Sequence, residues 1–169
     1  MPTCFVLVGL PASGKSTLLN FVEDPEFADT VFVYSTDNVL ERVAKQLDKT
    51  YDEVFDKHIG PAKLESDIWL AEAIKMKVDV YWDQTNLGVK KRRSIIEKMK
   101  KFGYRVEAIV FTPPETVEDI TEWNRRLQSR KGKTIPDHVI KSMVNSYVEP
   151  ALDEGFDAIR KYDIYGKEL

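Results

Sequence analysis

Near the start of the chain, Gly9-Leu10-Pro11-Ala12-Ser13-Gly14-Lys15-Ser16 carries the spacing G-x-x-x-x-G-K-S/T between an apolar run and a helix-like pattern. In that setting the spacing binds a nucleoside triphosphate. Glycines let successive backbone N–H groups curl inward on phosphates, and a helix start adds positive potential. Lys15 can reach the β- and γ-phosphates, and Ser16 can ligate Mg²⁺. Gly9, Ala12, Ser13, Gly14, Lys15, Ser16 and Thr17 are therefore the expected contacts of ATP or GTP. The plainer alternative, a glycine turn with an exposed lysine, does not account for the complete spacing.

Ligands of α/β sheets bind outside the carboxyl ends of the strands. Asp37 and Asp83 each follow a β-rich run and so belong near the γ-phosphate. Transfer to an alcohol needs one carboxylate to orient the hydroxyl and take its proton, and a second acidic group for Mg²⁺ or its water shell. Asp37 suits the first task and Asp83 the second. Their bland alternatives are a helix N-cap for Asp37 and a solvated turn residue for Asp83. Arg126 and Arg130, spaced i and i+4, share one helix face and could close over a transferring phosphoryl group. The run Lys90, Lys91, Arg92, Arg93 could hold polynucleotide phosphates or form a plain charged face. Trp69 and Trp82 could stack on a base, but spacing and strand burial favour the core. His58 and His138 suggest no metal cluster. No N-K-x-D run follows the third strand to read guanine, and no added subdomain suggests a motor, so a compact kinase leads.

These side chains need elements to carry them. Apolar runs predict strands at Thr3–Val8, Thr30–Tyr34, Val78–Trp82, Tyr104–Phe111 and Asp157–Ile164. Helices are expected from Lys15 to about Val22, through Val39, Leu40, Val43 and Leu47, and over Tyr51–His58. After a break at Gly60-Pro61, another runs through Leu64, Ile68, Leu70, Ala71 and Ile74. A basic helix ends at Lys101 with Gly103 as cap, one spans Glu115 to about Arg130, and the last carries Val139, Ile140, Met143, Val144 and Tyr147. Alternation of this kind predicts an α/β fold with a parallel sheet flanked by helices on both faces, and the phosphate loop after its first strand makes the expected fold a P-loop NTPase.

With 169 residues, 43% of them hydrophobic, the expectation is one domain spanning 1–169. A net charge of −3 argues against coating nucleic acid by bulk attraction but permits local basic contacts. Cys4 has no second cysteine to pair with, which suits a reducing compartment. No signal segment and no bilayer-length apolar run are present, so the expected location is cytoplasmic, with no membrane partner.

The combination of GLPASGKST, an Asp after the second strand, DQTNLGVKKRR and NRRLQSRKGKTIPDHVIKSM resembles the kinase domain of bacteriophage polynucleotide kinase and related small P-loop kinases. The resemblance implies a nucleoside-kinase-like fold with a helical lid at about 115–136. It implies ATP and Mg²⁺ on Lys15 and Ser16, with Asp83 as a further metal ligand. Asp37 becomes the general base, Asp83, Thr85, Asn86, Arg92 and Arg93 face the acceptor, and Arg126 and Arg130 belong to the lid. Two departures stand out. Leu40 occupies the position where the phage kinase has a phosphate-contacting arginine, and Gln84 separates Asp83 from Thr85-Asn86. No D-x-D-G-T phosphatase sequence occurs. The implied function is a 5′-hydroxyl polynucleotide kinase acting on DNA or RNA, in a bacterial or phage-infected cell. The alternatives are DNA modification, as a kinase of a base hydroxyl such as 5-hydroxymethyluracil, and a nucleotide-dependent binding protein without transfer.

Overall fold

Thr3–Val8 forms β1, the central strand of a five-stranded sheet in the computed structural model, which describes residues 1–27 and 29–169. Val31–Tyr34 (β2), Asp79–Trp82 (β3), Arg105–Phe111 (β4) and Ala158–Tyr162 (β5) complete it in the order β2-β3-β1-β4-β5. Every pairing is parallel, and Cys4 lies in register with Val80 on one side and Val106 on the other. Parallel neighbours need crossovers, which helices supply. Lys15–Leu18 (α1) follows β1; Thr36–Gln46 (α2) and Tyr51–Met76 (α3) join β2 to β3. Val89–Lys101 (α4) joins β3 to β4, and Val117–Gln128 (α5) and Asp137–Ser146 (α6) lead to β5. The expected P-loop NTPase fold is the fold of this chain.

The period-2 geometry of β1 sends Cys4, Val6 and Val8 to one face, where Leu70 and Ala73 of α3 and Ile95, Ile96 and Met99 of α4 cover them. Leu7 points the other way, into a cluster with Leu19, Ile109 and Phe111. That second face also carries a stack of Phe5 on Tyr81, 4.6 Å between ring centroids. The Cys4 thiol is fully buried, and burial, with the Asp79 carboxylate, pushes its pKa far up.

Three expectations need correction. The helix after the P-loop is short: α1 tightens into a 3₁₀ stretch, Leu19–Glu23. The helices expected on either side of Gly60-Pro61 are one, because α3 runs through both residues. Pro61 lacks the N–H for the carbonyl four residues back and its ring crowds that carbonyl, but it is exposed, so the carbonyl can turn out to water. A capping box starts this helix, with the Thr50 hydroxyl accepting from Glu53 N–H and the Glu53 carboxylate from Thr50 N–H. Finally, Trp69 is 56% exposed and not in the core, as are Leu64 and Ile68, whereas Trp82 is buried and stacked on Tyr34 at 4.1 Å. Leu70, Ala73 and Ala62 define the buried side of α3, and Trp69 falls outside it. No helix among the described residues is long and apolar enough to cross a membrane.

Candidate active site

The P-loop curls because Ala12 (φ 59°) and Gly14 (φ 108°) are left-handed, and Gly14 adopts a region that disfavours any side chain. Its N-terminal end is fixed by Gly9 N–H donating to the Thr85 carbonyl at 3.0 Å. Lys15 folds back over the loop. Its ammonium donates to the carbonyls of Gly9 (2.9 Å) and Leu10 (2.8 Å) and to Ser13 Oγ (3.3 Å). Burial lowers its pKa to about 8, opposed by Asp83 and Asp37 and reinforced by Arg130 and Lys133. Ser16 and Thr17 are exposed at the start of α1. With only four α-helical residues here, the positive potential comes from the loop amides more than from a macrodipole.

Ser35, not Asp37, caps α2, its hydroxyl accepting from Asn38 N–H at 3.2 Å. Asp37 sits in the first turn with both oxygens engaged. Oδ1 accepts from the Tyr51 hydroxyl at 2.8 Å, and Oδ2 from the Lys133 ammonium at 2.9 Å. Lys133 also donates to Glu41 Oε1 at 2.8 Å and lies 4.3 Å from the centre of the Tyr51 ring. Burial raises the Asp37 pKa, but the charge and hydrogen bond of Lys133, the Tyr51 hydroxyl and Arg130 outweigh it and hold the carboxyl below its usual range. Asp83 goes the other way: burial pushes it up, Lys15 pulls it down, and Asp37 pushes it up again. The two carboxyls are shifted in opposite directions by their surroundings. Lys15, Asp37, Asp83, Arg130 and Lys133 thus share one electrostatic neighbourhood at the carboxyl ends of β1, β2 and β3.

The turn after β3 is built differently from the expectation. Asn86 is buried, at φ 48°, and its amide donates to the carbonyls of Leu7 (2.7 Å), Gln84 (3.2 Å) and Trp82 (3.3 Å), so it holds the turn against β1. Arg92, expected at the acceptor, is fully buried. Its guanidinium forms a two-point pair with Glu154 (2.8 and 2.7 Å) and donates to the carbonyls of Asn86 (3.1 Å) and Leu87 (2.7 Å). With its donors committed to protein, Arg92 supports the turn from behind. The periodicity carried this signal, since Arg92, Ile95, Ile96 and Met99 fall on one helix face and all are buried. Lys90, Lys91 and Arg93 are exposed, and Thr85 and Asp83 are partly buried.

Arg126 and Arg130 meet at one cavity of about 570 Å³, although Arg130 lies beyond the end of α5 and not on its face. The cavity is lined by Ala12 to Leu18, Phe111, Tyr162 and the turn Ile164–Gly166. Arg126 is oriented by Glu122 Oε1 (2.7 Å) and the Ile164 carbonyl (2.9 Å). Trp123, which the sequence left unassigned, anchors α5 by donating its indole N–H to the Pro11 carbonyl at 2.7 Å. Lys133 and Tyr51 were likewise missed as site residues. Tyr51 had one signal, its place directly after the capping Thr50. Lys133 lies in the NRRLQSRKGKTIPDHVIKSM segment that carries the resemblance, but nothing local names its partner Asp37, 96 residues away.

Among solved structures, a chain of the PezAT chromosomal toxin–antitoxin system of Streptococcus pneumoniae superposes with a TM-score of 0.61 at 15% identity, covering all of this chain and 70% of that one. A kinase candidate from Chloroflexus aurantiacus gives 0.63 at 13% identity, covering 96% and 85%. A fungal RNA kinase gives 0.59 at 16%, covering 95% and 74%. At such identities the likeness is one of fold. A family model described as an AAA domain matches residues 5–150, most of the chain. With its P-loop in place and the match extending over residues 5–150, this chain belongs to the AAA domain family.

Proposed function

We propose that the protein transfers the γ-phosphoryl group of ATP to a hydroxyl of a nucleic acid, the 5′-hydroxyl of a polynucleotide being the acceptor. The observation that carries this reading is Asp37: Ser35 takes the capping role in its place, and its charge is felt by both Lys15 and Asp83. The cavity of about 570 Å³ beside the P-loop is of nucleotide size. Ser16 and Asp83 offer the hard oxygen donors that suit Mg²⁺, which takes few protein ligands and completes its shell with water and phosphate. When bound, the ion neutralises charge across the β- and γ-phosphates.

In the reaction the acceptor oxygen bonds to the γ-phosphorus as the bond from that phosphorus to the β–γ bridging oxygen breaks, and ADP leaves. Asp37, ionised, orients the hydroxyl and receives its proton. Lys15 turns from the Gly9 and Leu10 carbonyls onto the phosphates. Arg126 and Arg130, carried by the α5 segment acting as a lid, stabilise the equatorial charge. Leu40 is buried, so it leaves acceptor phosphates to exposed groups such as Lys90 and Arg93.

Labelled ATP offered with 5′-hydroxyl oligonucleotides, end-blocked oligonucleotides containing 5-hydroxymethyluracil, and free nucleosides tests the acceptor. Label is expected in unblocked ends only, weakening as salt rises and when Lys90 and Arg93 are neutralised. Label in the blocked, modified strand would instead identify a base kinase. Salt-insensitive labelling of nucleosides would refute both nucleic-acid readings, and tight ATP binding without transfer would make this a binding protein. Asp37→Asn keeps the shape and is expected to lower turnover by about 10²-fold or more with ATP affinity little changed; turnover within a few-fold of wild type would remove Asp37 as base.

A further inference from the structure

The segment after α5 is pinned at both ends of the crevice. Trp123 ties α5 to the P-loop, and beyond Arg130 the chain docks on the first turn of α3. There Asp52 N–H donates to the Gly132 carbonyl at 3.0 Å, and the Asp52 carboxylate accepts from Thr134 N–H at 3.2 and 2.9 Å. Gly132 takes φ +67°, and a Cβ built on it would lie 2.8 Å from Thr50 Cβ and 2.9 Å from Thr50 Cγ2. This close seat holds Lys133 between Asp37, Glu41 and the Tyr51 ring.

We infer that Lys133 is a positioning residue that ties the seating of the 131–136 loop on α3 to the readiness of Asp37 to accept a proton. The inference rests on Asp37 being the base. With the loop seated, the ammonium charge keeps the carboxylate ionised, and Tyr51 fixes its other oxygen. With the loop lifted, Asp37 keeps Tyr51 and the more distant cations Lys15 and Arg130. It then faces Glu41 on its own helix and Asp83 across the crevice without the nearest compensating charge. A carboxyl that holds its own proton cannot take one from an acceptor.

Two substitutions separate charge from seating. Lys133→Met removes the charge and leaves the seat; Gly132→Ala disturbs the seat and leaves every charge. The readout is the Asp37 carboxyl titration by carbon-detected NMR on the full, nucleotide-free chain, with the pH profile of transfer beside it. Each variant is expected to raise the Asp37 midpoint, the double variant no further than Lys133→Met alone, and Lys133→Arg to restore the low midpoint. Transfer in acid should fall several-fold in the same variants. If Gly132→Ala does not fold, Asp52→Ala unseats the loop instead. An Asp37 midpoint that ignores the seat variant, or shifts that add in the double variant, overturns the inference. A moving midpoint with an unmoved pH profile of transfer overturns the base role of Asp37 and leaves the link between loop and carboxylate standing.

Discussion

Lys15→Ala is expected to lower phosphoryl transfer by about 10³-fold or more while the protein stays folded. That is the low end of what one well-placed cation contributes to phosphoryl transfer. The Lys15 ammonium is nearly dry, and its pKa near 8 reflects burial inside the loop. A bound triphosphate supplies the opposite charge that burial withholds, so binding raises that pKa. Two consequences carry signs. At pH above about 8 the ligand-free protein has lost part of this proton, so ATP binding must take it up. Calorimetry in buffers of different ionisation enthalpy reads that uptake, which Lys15→Ala should abolish. Likewise kcat/KM, which reports the free enzyme, should fall above about pH 8, whereas kcat should hold to higher pH. Unchanged transfer by a folded Lys15→Ala protein would mean that chemistry happens elsewhere.

The second large effect is on stability. Arg92→Ala is expected to destabilise the fold by about 3–5 kcal/mol, because it leaves Glu154 buried without its partner and frees the Asn86 and Leu87 carbonyls. For a domain of this size that lowers Tm by roughly 10 °C. Arg93→Ala, on the exposed side of the same helix, should change stability by no more than about 0.5 kcal/mol. Replacing the whole pair, Arg92→Met with Glu154→Leu, should recover the part due to the uncompensated charge but not the part due to the freed Asn86 and Leu87 carbonyls. Thermal and urea unfolding of the variants decide it. Normal stability with lost oligonucleotide binding in Arg92→Ala would return Arg92 to the acceptor site.

What could be read from the sequence is what is encoded locally. Apolar runs ending in turn residues placed all five strands, and the P-loop spacing placed Lys15 beneath the cavity that Arg126 and Arg130 also line. Pairings distant in sequence were not legible. Nothing near Arg92 announces Glu154, 62 residues on, and a basic run reads as a solvated face even when one member belongs to the buried stripe. Gly60-Pro61 reads as a break because the local signal is a helix breaker, yet packing of Ala62, Ser66 and Leu70 continues α3 beyond it. The helix cap was equally ambiguous, since Asp37 and Ser35, two residues earlier, are both good caps and only the folded turn selects Ser35. Lys133 belongs to a site that exists only once the chain after α5 returns to the start of α3.

Cys4 gives the molecule an internal gauge of its own cohesion. β1 is bonded on both edges and covered on both faces, so no local fraying exposes this sulfur. Thiol reagents and oxidants act on the thiolate, which burial suppresses here, so Cys4 is shielded from them in the native protein. Modification must wait for the sheet to part at its middle, and the rate of labelling under native conditions becomes a measure of whole-domain opening. The strand that would have to part is the one that runs directly into the P-loop, so a nucleotide held there slows the chemistry of a sulfur it never touches.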